Sequence, residues 1–135
     1  MADDRLKPQM VPVFVWWVIW AGILSGMPIL RFFVADGAPL KGGGSVLGYI
    51  CIAPLVASCG LRWWFLSKQQ KAGVAFVIFV AGAALAESCG ILGIFLGGEQ
   101  RDELFIFGVL GVLQWAPFLA RRFQRFPVAQ TSWLV

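Results

Sequence analysis

The chain of 135 residues contains no histidine. That excludes His-ligated haem, zinc sites built on imidazole, and histidine general bases. Charge is scarce as well: 13% of residues are Asp, Glu, Lys or Arg, against about 25% in a soluble domain. Three cysteines, Cys51, Cys59 and Cys89, lie in apolar runs without a CxxC pair. Neither a disulfide framework nor a metal site is indicated, and they read as small packing residues. No Ser/His or Cys/His pair, phosphate loop or metal spacing occurs, so no enzyme, no catalytic residue and no cofactor is expected. The formal charge of +4 has no basic stripe with interleaved aromatics, so no nucleic-acid partner is expected. What is present is apolar surface. The chain is 59% hydrophobic, with a mean hydropathy of +0.79. This is the composition of a membrane protein, with residues 1–135 forming one membrane domain.

The order of apolar runs and polar breaks predicts an all-α, polytopic, up-down bundle of four transmembrane helices. Residues 1–9 are polar, and Asp3 and Asp4 spoil the basic start of a secretory signal. The first helix is expected over about 11–34, with Pro12 in its first turn, Pro28 kinking its far end and Arg31 reaching the far surface. A Gly- and Pro-rich loop separates it from a second helix at about 46–66, which carries Pro54 and ends in Arg62, Trp63 and Trp64 as an interfacial anchor. Residues 67–71 form a polar turn, and a third helix spans about 72–96. After a charged turn at 97–103, a fourth helix is expected over about 104–120. It falls short of the roughly 20 residues a span needs, so its start is expected to reach back into that turn. Residues 121–135 form a basic tail in which Arg121, Arg122 and Arg125 anchor to anionic lipid. Lys and Arg number eight on the side of the termini (5, 7, 62, 68, 71, 121, 122, 125) and three on the other (31, 41, 101). The positive-inside bias then puts both termini in the cytoplasm, in a multi-pass protein of the cell (inner) membrane.

Within the third helix stands one ionisable acid, Glu87. A carboxylate at mid-bilayer costs roughly 2.5–3.5 kcal/mol on insertion scales. Ala83, Ala86, Gly90, Gly93 and Gly97 follow i, i+3, i+4 spacing beside it, a stripe that lets another helix approach closely in lipid. No Lys or Arg lies near this depth, so Glu87 is expected to be neutral at rest. Counting from the turns puts Gln114 and Ser25 level with it, and Ser58 about a turn nearer the inside. Ser25, Ser58 and Gln114 are therefore its candidate partners.

The run Ala86-Glu87-Ser88-Cys89-Gly90-Ile91-Leu92-Gly93 resembles the ion-carrying helix of the rotor-ring c (proteolipid, or K) subunit of F-type and V-type ATPases. Leu92 stands where that family has a tyrosine. The resemblance implies that Glu87 carries a proton or sodium ion, with Ser88 as a side ligand. Gln114 joins them as an ion-binding candidate from its depth. One reading is a small membrane subunit that binds a proton, or sodium, within a homo-oligomer. A second is an accessory subunit of a larger membrane complex, with Glu87 as a protonated link between helices. A third, a small four-helix exporter of cations, is disfavoured by the charge asymmetry. Membrane lipid is the one further partner expected.

Overall fold

The computed structural model describes residues 12–34 and 45–121. The beginning of the chain, the Gly-rich loop and the basic tail beyond Arg121 lie outside them, and with them Arg122 and Arg125. The described residues are all-helical, and three of the helices are long and apolar enough to cross a membrane: Val13–Val34, Gly48–Lys68 and Ala72–Leu96.

Helix α1, Val13–Ile29, starts after Pro12, whose extended backbone and missing N–H suit the residue before a first turn. Pro28 removes a donor near its end, and the chain continues as a wider turn over Leu30–Val34. Helix α2, Ser45–Gly60, runs through Pro54 and continues by wider and then tighter turns, Leu61–Phe65 and Leu66–Lys68. Helix α3, Ala72–Leu96, has the bounds its apolar run predicts. Helix α4 reaches back into the charged turn as expected, beginning at Arg101 after a tight turn at Gly98–Gln100, but it stops early, at Leu113. Gly98 makes that turn possible with a φ of 53°, which a side chain would resist.

The early stop of α4 follows from Pro117. A proline disfavours helical backbone in the residue before it, and Ala116 is extended at φ −49°, ψ 129°. A single tight turn, Pro117–Leu119, follows. Thirteen residues of α4 cover about 20 Å at 1.5 Å per residue, against a hydrocarbon core of about 30 Å.

Helix α3 is the post against which the other three pack. Its seam with α4 is antiparallel and built of small residues. A side chain at Gly93 would meet Leu104, at Gly90 Met27 and Gly108, and at Gly82 the ring of Trp115, while one at Gly111 would meet Ala86. The predicted stripe is this seam: Ala83, Ala86, Gly90, Gly93 and Gly97 are all buried. Helix α1 runs parallel to α3, with Trp16 against Phe76 and Phe79 at one end and Met27 against Gly90 further along. Much of the outer surface is apolar, including Phe14, Val18, Val56, Val77 and Ile106. That suits hydrocarbon surroundings, where close packing rather than escape from water holds helices together.

The two ends of the bundle are tied differently. Arg31 at the end of α1 bonds Asp102 of α4, with Nη2 2.6 Å and Nε 3.2 Å from Oδ1. Trp17 meets Phe118 at the opposite end. Asp102 is 69% exposed, so Asp102→Asn is expected to shift stability by less than about 1 kcal/mol. Thermal unfolding in detergent measures it, and a larger loss would make the bridge a structural clamp.

Candidate functional site

Glu87 sits on the flank of α3 that faces α1. Gly26 is its neighbour there: a Cβ built on it would lie 3.5 Å from Glu87 Oε1, in ordinary contact. The side chain is neither buried nor fully exposed. Among the described residues, no hydrogen bond or ion pair reaches it. No buried side-chain oxygen or nitrogen among those residues lacks a partner. The carboxyl oxygens are therefore open to the surface of the bundle at the α1–α3 crevice.

The expected partners are not gathered around it. Depth on α1 was legible to within one residue, but Gly26 rather than Ser25 faces the acid. Ser25 is exposed, about 100° further round the helix, and its hydroxyl donates to Gly22 O at 3.1 Å. Ser88 donates to Ala84 O within its own helix at 2.8 Å. Gln114 does not lie level with Glu87. The pairs Ala86–Gly111 and Gly90–Gly108 place Glu87 near Leu110, so Gln114 sits about a turn closer to the other end. The expected register slipped because α4 begins three residues before Leu104, at Arg101.

Ser58 and Gln114 belong instead to a second polar group, at the break in α4. Trp115 is fully buried there. Its indole N–H donates to Ser58 Oγ at 2.7 Å, and Ser58 donates to Gly82 O at 2.7 Å. The Gln114 amide N–H donates to Cys59 Sγ at 3.4 Å, and the thiol faces Gln114 Oε1 at 3.7 Å. Trp20 of α1 donates its indole N–H to Val112 O at 2.9 Å, a second bond to a carbonyl that also accepts the Trp115 backbone N–H at 3.0 Å. Arg62, expected at the interface, turns inward with its guanidinium 5.6 Å from the centre of the Trp115 ring, a cation–π distance. Trp63 and Trp64 beside it stay exposed, as anchors would. Arg121 is exposed.

This second group joins α2, α3 and the α4 break by bonds that are already satisfied. Irregular backbone at membrane depth is tolerated where protein covers and pairs it, and these residues do that. Trp115 does not stand out in the sequence, and Cys59 reads there only as a small packing residue. The available signal was Pro117, which places a break one residue after Trp115 and so calls for polar cover from neighbouring helices. Cys51, Cys59 and Cys89 are free thiols. Among the described residues, no cluster of metal-ligating side chains occurs.

No protein-family model matches this chain, and neither a curated protein nor a solved structure does. The functional reading therefore rests on the chemistry of its own residues.

Proposed function

We propose that this chain is a small integral membrane subunit of the cell membrane. It crosses the bilayer four times with both termini in the cytoplasm, α4 and the turn after it together completing the fourth crossing. It assembles with further copies of itself, and Glu87 binds a proton at the seam between copies. The observation that carries this reading is the position of Glu87: half-buried against Gly26, open at the α1–α3 crevice, and without a polar partner among the described residues.

A bare carboxylate held in that place would cost several kcal/mol, of order 2.5–3.5 on insertion scales. A proton removes the cost. A neighbouring copy removes it too, by supplying a hydrogen bond. The face beside the crevice suits a second copy. Ala21, Gly22 and Ser25 are exposed on α1, nothing lies within 4 Å of a Cβ built on Gly22, and Ala81 and Ala84 are exposed on α3. Small residues allow close helix contact, and Ser25 brings a hydroxyl to nearly the depth of Glu87. A sodium ion is less well served, since such a cation takes several oxygen ligands and the Ser88 hydroxyl is turned to its own helix. The alternative of a passive accessory subunit loses the internal links it calls for, because Ser25 and Gln114 bond elsewhere.

The test is labelling with a hydrophobic carbodiimide in native membranes, which modifies a protonated carboxyl in lipid. One adduct on Glu87 is expected, absent in Glu87→Gln and unaffected by sodium. The Gln variant should still assemble but should lose proton-dependent activity of the assembly. An intact protein that resists labelling, or a Gln variant with full activity, would overturn the proposal.

A further inference from the structure

At the end of the bundle that holds the Arg31–Asp102 pair, α2 and α4 diverge around a cavity of about 190 Å³. Gly48 forms part of its wall, and the Gln100 side-chain oxygen lies 2.7 Å from where a Cβ on Gly48 would be. Tyr49 of α2 and Phe107 of α4 line it with exposed rings, and Glu103 lines it one turn from Phe107. Glu103 and Phe107 are i, i+4 neighbours and so share a face of α4. Among the described residues, the bridges at this end run to Asp102 and none to Glu103.

The chemistry of this lining is specific. It offers a carboxylate, an amide oxygen and two aromatic rings, and among the described residues no cation. Aromatic faces attract ammonium groups. A charged acceptor strengthens the hydrogen bonds an N–H donor makes. An anionic ligand would be repelled by Glu103. A quaternary ammonium would find the rings but could donate nothing to Gln100 or Glu103, whereas a primary ammonium has three N–H donors. We propose that this cavity binds a primary alkylammonium group, from either a lipid headgroup or a free amine. The site is independent of Glu87 and stands or falls separately from the proton-binding reading.

The test is titration of the purified full chain in maltoside micelles, which contain no amine, followed by NMR of the added probe. Ethanolamine and lysophosphatidylethanolamine are the probes, and lysophosphatidylglycerol is the control. Both amines should bind, with Glu103→Gln weakening them about fivefold or more. Tyr49→Phe should retain binding, and Tyr49→Ala should weaken it. Both substituted residues are exposed, so folding should not be at issue, and an unchanged thermal transition checks this. A lysolipid bound about tenfold more tightly than ethanolamine, with the same dependence on Glu103, identifies a lipid headgroup as the source. Equal affinities identify a free amine. Absence of binding by both amines, unchanged affinity in Glu103→Gln, or equally tight binding of lysophosphatidylglycerol would overturn the proposal.

Discussion

Gly108→Ala should strongly destabilise this bundle. A Cβ at position 108 would lie 2.6 Å from both Cα and N of Gly90, and 2.8 Å from Met27 Cε. Met27 can swing aside, but the Gly90 backbone cannot. The methyl must push α4 off α3 or distort one of them. Overpacking of this kind costs about 1–3 kcal/mol in soluble cores, occasionally more. The upper part of that range is expected, because backbone rather than a rotamer has to move. The comparison is Gly22→Ala, where a methyl enters open space and replaces a poor helix former with a good one. Unfolding by denaturing detergent, followed by circular dichroism, should show a large loss for Gly108→Ala and none for Gly22→Ala in the single chain. Equal behaviour of the two would show that the α3–α4 seam is looser than described.

Trp115→Ala should produce a loss of similar size by the opposite route, emptying space instead of overfilling it. Deleting a buried tryptophan costs about 3–5 kcal/mol in water-soluble proteins. Part of that figure is transfer from water, which has little counterpart when the surroundings are lipid. What remains is lost packing against Gly82 and Phe79, the lost face for Arg62, and a Ser58 oxygen deprived of its donor. The expected cost is therefore near the lower end of that range, about 3 kcal/mol. Trp115→Phe separates the parts. It keeps most of the packing and removes only the indole donor, while Ser58 still donates to Gly82 O, so about 1 kcal/mol is expected. The ratio of the two losses, measured in the same unfolding assay, reports how much of the role of Trp115 is shape and how much is its N–H. If Trp115→Phe cost as much as Trp115→Ala, the hydrogen bond would dominate.

Much of the fold was legible because membrane helices announce themselves by length. The run from Ala72 to Leu96 has no break and no charge but Glu87, and α3 has those bounds. The small stripe was legible because i, i+3, i+4 spacing puts Ala86, Gly90 and Gly93 on one face, and that face meets α4. Two things were not legible. The first was how tightly Gly97 and Gly98 turn, and starting α4 at Arg101 moved every residue of that helix about one turn relative to α3. The second was azimuth. Counting residues gives depth but does not say which way a helix is rotated, so Ser25 was placed at the right level and on the wrong side. Rotation is decided by packing, here by Met27 and Trp16 seating against α3, and neighbouring side chains cannot be read from one helix alone.

The arrangement around α3 also bears on how the chain is made. Helices α1 and α2 pack on α3 and scarcely touch each other. They leave the ribosome first, so each must wait without its main packing partner until the third arrives. Cooperative assembly then begins late, with α3 acting as the keystone, and α4 closes the structure over Gly90 only after that. A nascent chain halted before α3 would offer quality-control machinery two loose helices instead of half a protein.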